Sequence, residues 1–269
     1  MQLGLSTYSF PWAIGVNDFK PSNPLTAKDL LDYAAASDIN YVQYGDNMPL
    51  HSFSEHELID LKRTADELNI NIEVGTRRLT VENILIYLSI AQRFNSSFLR
   101  VVIDDADFHP GEQEVIETIK TLLPQLEETG ICLAIENHDR FPAATLQRII
   151  QQTSPLSVGI CLDTANSLGA NEGVNELVQV LGAFAVNLHI KDITINRLQH
   201  KMGFLVEGCP AGDGILNIPE IIQQLKPYNK CKTVTLEVWS QPEETLEQSI
   251  AKEKKWVGTS INYLKNVLT

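Results

Sequence analysis

The chain has 269 residues, 43% of them hydrophobic and 20% charged, a composition that excludes a disordered or collagen-like segment and fits an ordinary folded domain. Lys and Arg number 21 against 34 Asp and Glu, and the resulting net charge of −13 repels phosphate backbones, so no nucleic-acid partner is expected. Met1–Phe10 has no basic region ahead of a long apolar stretch, and no later apolar run approaches bilayer-spanning length, so no membrane partner and a cytoplasmic location are expected. Cys132, Cys161, Cys209 and Cys231 are irregularly spaced with no CxxC pair, which fits the same reducing setting.

Taken in chain order, the first strand-like run, Leu3–Tyr8, leads into Tyr8-Ser9-Phe10-Pro11-Trp12, not into a glycine-rich phosphate loop, so a dinucleotide fold is not expected. Thr26 with Asp29 has the spacing of a capping box and predicts a helix ahead of the second strand, Tyr41–Tyr44. Ser54 with Glu57 marks another helix start, and Leu58, Leu61, Ala65 and Leu68 then fall on one face. Strands are predicted at Asn71–Gly75 and Phe98–Ile103, after which Pro110 opens a helix with the stripe Val115, Ile119, Leu122 and Leu126. Further strands follow at Ile131–Glu136, Val158–Asp163, Val186–Lys191 and Thr233–Val238. Beyond Pro242, a good first-turn residue, Leu246, Ile250, Val257, Ile261, Leu264 and Leu268 keep a helical period and predict a closing C-terminal helix.

Runs such as Ile131-Cys132-Leu133-Ala134-Ile135 are almost continuously apolar, as parallel strands covered on both faces must be. Eight such strands alternating with helices, without a linker between them, predict an α/β fold: a single (β/α)₈ TIM barrel domain over residues 1–269. The longest interval, Ile193–Asn217, follows the seventh strand, where barrel loops overlie the active site. It reads as an extended lid that would bring Arg197, His200, Lys201 and Glu207 over the site; an ordinary surface excursion is the competing account.

Four consecutive predicted strands end in a group able to bind a metal: Glu136 in Ile-Glu-Asn-His, Asp163 in Leu-Asp-Thr, His189 in Leu-His-Ile-Lys-Asp and Glu237 in Leu-Glu-Val-Trp. Any one of them alone reads better as an ion-pair partner or a cap. Together, at the ends of apolar strands that converge, they would carry a large desolvation cost unless they shared a cation. Three carboxylates and one imidazole form a mainly hard set, which favours Mn²⁺, Mg²⁺ or Co²⁺ as the single divalent ion, while Zn²⁺ accepts the same groups. Lys191, two residues beyond His189, shares its strand face and could polarise or protonate a substrate oxygen; a pairing with Asp192 or Glu237 is the alternative.

These motifs, with His-Ile-Lys-Asp and Gly212-Asp213-Gly214, make the whole chain resemble the xylose-isomerase-like TIM barrels, which include sugar isomerases, ketose 3-epimerases and apurinic-site endonucleases. The resemblance implies one metal held by Glu136, Asp163, His189 and Glu237, and a homo-oligomer. It implies proton abstraction next to a carbonyl, with Glu136 and Glu237 as acid/base groups. Asn166 stands where epimerases and the endonucleases commonly have a histidine, so a contact near the metal is altered. The six histidines, at 51, 56, 109, 138, 189 and 200, are too few for the endonucleases' three-metal cluster.

The leading expectation is a metal-dependent isomerase or epimerase of a small sugar or sugar acid. The segments Met202–Gly208 and Glu136–Pro142, with Pro210-Ala211-Gly212, also look similar to a subgroup containing decarboxylases of 3-oxo sugar acids, so a lyase is the alternative. A sugar-binding barrel without turnover is the third. Candidate substrate contacts are His138 and Arg140 in the loop after the fifth strand, Asn166, Arg77 after the third strand, Trp12 and Trp239 as walls against a sugar's C–H face, and Arg197 and His200 in the lid. For His138, Arg140 and the tryptophans, orienting a neighbour, a rim ion pair or core packing are the competing roles.

Overall fold

A computed structural model describes residues 1–269. In chain order the strands are β1 (Gln2–Ser6), β2 (Tyr41–Tyr44), β3 (Asn71–Arg77), β4 (Phe98–Val102), β5 (Cys132–Glu136), β6 (Val158–Asp163), β7 (Ala185–Ile190), β8 (Asp192–Arg197), β9 (Phe204–Cys209) and β10 (Thr233–Leu236). Eight of them close a parallel barrel in the order β1-β10-β7-β6-β5-β4-β3-β2, and β8 and β9 pair separately. The helices are α1 (Pro11–Ile14), α2 (Ala27–Ala36), α3 (Glu55–Glu67), α4 (Val81–Phe94), α5 (Glu112–Thr129), α6 (Ala143–Gln152), α7 (Val174–Leu181), α8 (Ile218–Leu225) and α9 (Leu246–Leu268). This is the (β/α)₈ barrel with a closing C-terminal helix that the sequence pattern predicts. None of its helices is long and apolar enough to cross a membrane.

Both expected capping boxes form, at Thr26 with Asp29 and Ser54 with Glu57. Three of the departures from the expected boundaries have clear local reasons. β1 stops at Ser6, whose hydroxyl accepts from Tyr8 N and turns Thr7–Ser9 into a 3-10 helix. α9 starts at Leu246, not near Pro242, because Thr245 and Gln248 form a capping box there. The Ile193–Asn217 interval is not an open loop. Asp192 pairs with Cys209 and the antiparallel register runs out to Arg197 opposite Phe204, so a hairpin extends directly from β7.

The main apolar core lies between barrel and helices, with Leu99, Leu133, Leu162, Leu188 and Val234 facing side chains such as Leu122, Leu146 and Leu264. A second small cluster of Phe98, Ala134 and Cys161 plugs the barrel interior, with Cys132 packed against it. All four cysteines are free. Beside this plug the interior is polar: Gln43, Glu73, Asn187, Thr233 and Thr235 are buried there and bond to one another. Gly75 leaves room beside this layer, since a Cβ on it would come within 3.1 Å of Arg100 Cδ, closer than side chains ordinarily pack.

The base of the hairpin is fixed by Asp192. Its carboxylate accepts from the backbone amides of Ile193, Gly212, Gly214 and Leu216, folding the Gly-Asp-Gly segment against the start of β8. A side chain at Gly214 would put its Cβ 2.0 Å from Asp192 Oδ1, which explains the glycine.

Candidate metal centre

Parallel register brings the strand ends to one level. Asp163 lies opposite His189, Glu136 opposite Cys161, and Thr235, two residues before Glu237, opposite His189. His189 Nδ1 is 3.7 Å from Glu136 Oε2, 3.7 Å from Asp163 Oδ2 and 3.4 Å from Glu237 Oε1. All four side chains are buried. Asp163, His189 and Glu237 each offer an atom within 4.8 Å of the others, and Glu136 makes such a group with His189 and Cys161.

Each member is held from outside the cluster. Asp163 Oδ1 accepts from the amides of Ala165 and Asn166, and Asn137 bonds both backbone groups of Asp163. Ser6 Oγ donates to Glu237 Oε1 at 2.9 Å. Arg100 Nε donates to Glu136 Oε2, and Asn166 Nδ2 donates to Glu136 Oε1 at 2.7 Å. Arg100 also reaches Asp46 at 2.7 Å, and Asp46 accepts from Tyr8 OH.

What remains unsatisfied points inward. Asp163 Oδ2, His189 Nδ1 and Glu237 Oε2 are buried and have no hydrogen-bond partner. Lys191 Nζ stands 2.8 Å from Asp163 Oδ2 and 2.9 Å from Glu237 Oε2, but its direction makes these ionic contacts only. Its hydrogen bond goes to Asn166 Oδ1, at 3.1 Å. Buried lone pairs without donors are costly, and two carboxylates and an imidazole converging in this way are a donor set that fits a hard divalent cation.

Burial raises the Asp163 carboxyl, but the Lys191 ammonium and the His189 imidazole more than reverse this and leave it well below the usual range. Glu237 is likewise lowered by His189 and Lys191 against burial. Burial lowers Lys191, yet Asp163, Glu237 and Glu136 hold it above its ordinary value, so the group is an ammonium at neutral pH. The cluster therefore combines three acidic side chains with two buried cations, Arg100 and Lys191.

Of the predicted substrate contacts, Asn166 lies in the cluster, bridging Glu136 and Lys191. Trp239 is half-exposed, its ring 5.3 Å from Lys191 Nζ. Arg77 is partly exposed, its Nε 3.3 Å from Asp46. His138 and Arg140 line a crevice with Glu136, Phe141 and Asp104. Within it His138 pairs with Asp139, while Arg140 clamps Asp104 and covers the Phe141 ring.

Trp12 is not brought to the cluster. It is buried, its indole donates to Ser240, and it meets Phe19 edge-on. Arg197 and His200 sit on the exposed hairpin and bond only within its turn, to Lys201 O and Met202 N. A cleft of about 550 Å³ beside the barrel, lined by Leu25, Met48, Phe53 and Leu61, contains none of these groups.

Sequence reasoning passed over Ser6, Gln43, Asp46, Glu73 and Asn187. For the strand residues the signal was a polar side chain at an inward position of an otherwise apolar strand, as in Tyr-Val-Gln-Tyr and Asn-Ile-Glu-Val, whereas Asp46 lies in the turn after β2 and carried none.

A sequence model of the family described as "Xylose isomerase-like TIM barrel" matches residues 31–266. A 3-oxo-isoapionate decarboxylase of Pectobacterium atrosepticum is 29% identical over 264 residues, covering 98% of this chain and 95% of that protein. Among solved structures, a D-psicose 3-epimerase with D-tagatose from Clostridium cellulolyticum H10 superposes with a TM-score of 0.74, covering 99% of this chain and 98% of that one at 15% identity. A xylose isomerase-like TIM barrel protein from Mycobacterium smegmatis in complex with magnesium gives 0.68 over 97% of each chain at 13% identity. At such identities the structural likenesses establish the fold alone.

Proposed function

The chain belongs to the xylose isomerase-like TIM barrel family, and from that premise we propose that it is a divalent-metal-dependent enzyme that removes carbon dioxide from a small 3-oxo sugar acid. Glu136, Asp163, His189 and Glu237 would hold the cation, with Mn²⁺, Mg²⁺ or Co²⁺ favoured by the carboxylate-rich set. Bound there, it would supply Lewis acidity toward the substrate's carbonyl and hydroxyl oxygens.

One observation carries the choice of reaction. Both oxygens of Glu136 already accept hydrogen bonds, from Arg100 and Asn166, while the Lys191 ammonium hydrogen-bonds the neutral Asn166 and lies in ionic contact with Asp163 and Glu237. Epimerisation asks for two groups that remove and deliver a proton on opposite faces of a carbon, and the clamped Glu136 is poorly suited to be one of them. Decarboxylation asks for one. The bond between the carboxyl carbon and the carbon beside the ketone breaks, its electron pair moves into the ketone, and the carbon then takes up one proton. Lys191 is placed to give that proton and to regain it from solvent.

The name of the Pectobacterium relative, at nearly full coverage, supports the same class. Trp239 and Arg77 at the mouth are the proposed substrate contacts, with His138 and Arg140 lining the crevice beside Glu136. The β8–β9 hairpin, rooted on Asp192 next to Lys191, is the proposed lid, and Arg197 and His200 would reach the substrate only when it closes.

The test is to incubate the Mn²⁺-loaded protein with 3-oxo sugar acids, trap evolved carbon dioxide and follow the product in D₂O by NMR. Carbon dioxide with a single deuterium on the new C–H carbon supports the proposal. Isomer formation with solvent exchange and no carbon dioxide would return the epimerase reading, and ligand binding with no turnover of any sugar or sugar acid would favour a binding protein.

A further inference from the structure

We propose that Gln43 is a positioning residue that keeps the His189 proton on Nε2, so that the Nδ1 lone pair faces the cation site. The inference rests on the reading of His189 as a ligand and extends it to a layer of the barrel that touches no substrate. Gln43 Oε1 lies 2.7 Å from His189 Nε2. The opposite edge of the imidazole, Nδ1, faces Glu136, Asp163 and Glu237 at 3.4 to 3.7 Å. Three carboxylates on that side all favour a proton on Nδ1, the one position that would block a metal ligand. Only an acceptor on the Nε2 side competes with them, and Gln43 supplies it.

The amide cannot turn over to offer its NH₂ instead. Gln43 Nε2 is 3.1 Å from Glu73 Oε2 and 3.3 Å from Asn187 Oδ1, two acceptors that require a donor at that position. Asn187 is fixed in turn by the Thr233 backbone carbonyl, which can only accept and lies 3.4 Å from Asn187 Nδ2; the Thr233 and Thr235 hydroxyls, 2.7 and 2.9 Å from the same atom, and the Cys161 thiol beside Oδ1 adapt to that orientation. Donor direction therefore propagates from the Thr233 carbonyl through Asn187 and Gln43 to His189, with every member buried. A neutral acceptor orients the imidazole without adding a fourth carboxylate beside the cluster. Such partners behind a ligating histidine are commonly worth about 10–100-fold in metal affinity.

The test compares wild type with Gln43→Leu and Gln43→Met. Mn²⁺ affinity is measured by calorimetry, and the His189 tautomer by ¹⁵N NMR on metal-free protein titrated until the imidazole is neutral. The expected result is an Nε2–H tautomer in wild type. The Leu variant should move the proton to Nδ1 and bind Mn²⁺ about 10–100-fold more weakly. Should it fail to fold, the Met variant, close to glutamine in shape and without a strong acceptor, carries the same comparison. An unchanged tautomer, or wild-type affinity in a folded variant lacking the acceptor, overturns the proposal. If wild type binds no Mn²⁺ at all, the metal-enzyme reading fails, and the tautomer measurement still decides whether Gln43 sets the proton.

Discussion

Replacing Lys191 with Met removes the ammonium that stands 2.8 Å from Asp163 and 2.9 Å from Glu237, and leaves two buried carboxylates facing one another. At those distances each attraction is roughly 6 kcal/mol for an effective dielectric of 20, much of it offset by the cost of burying the charges. Breaking one side of such a buried arrangement costs about 3–5 kcal/mol net. For a domain of this size that is a fall in Tm of roughly 6–20 °C. A divalent cation supplies the missing positive charge to the same oxygens, so the loss should be large in EDTA and mostly recovered in saturating Mn²⁺. Turnover should not recover with it, since the proton donor is gone, and should stay about 10²–10⁴-fold down. The assay is thermal unfolding with and without Mn²⁺, paired with carbon dioxide release. Equal destabilisation in both conditions, or unchanged turnover in the metal-loaded variant, refutes the reasoning.

Burial pushes the Glu253 carboxyl up to about 7, against the amide hydrogen bonds it accepts from Trp12 and Ala13. A carboxyl raised on folding binds its proton more tightly in the native state, so its contribution is full below its usual value and lost as pH rises through 7. Urea denaturation at pH 5 and pH 8 should show wild type losing about 3 kcal/mol relative to Glu253→Gln over that window, and parallel curves would contradict this. Gly214→Ala forces a Cβ onto the Asp192 carboxylate and should cost about 1–3 kcal/mol while detaching the hairpin base, whereas wild-type Tm would show that the segment shifts freely. Replacing Asn196–Leu205 by Asn-Gly joins the paired Ile195 and Val206 through a two-residue turn. Turnover should fall at least about tenfold with little change in Tm if the hairpin is a lid, and retained turnover would make it a surface excursion.

The barrel was legible because its strands are almost continuously apolar and its helices carry caps and stripes. The four strand-end residues were legible because charged groups at the ends of such runs stand out. The hairpin was not, because Phe204, Leu205 and Val206 are all solvent-exposed to some degree and β9 lacks the inward–outward alternation that marks a strand. The interior polar layer was missed for a different reason. Gln43, Glu73 and Asn187 are single polar residues inside short strands, and only the closed barrel shows that their inward faces meet. Trp12 shows how little its place beside the first strand says about its surroundings: the backbone turn after Ser9 carries it against α9 and Ser240.

The most direct test of the account is anomalous diffraction from crystals soaked in Mn²⁺. The account predicts one strong peak enclosed by Glu136, Asp163, His189 and Glu237, absent from crystals of His189→Ala. A peak elsewhere, or none at this position in well-diffracting wild-type crystals, would contradict the claim that these four side chains share a cation.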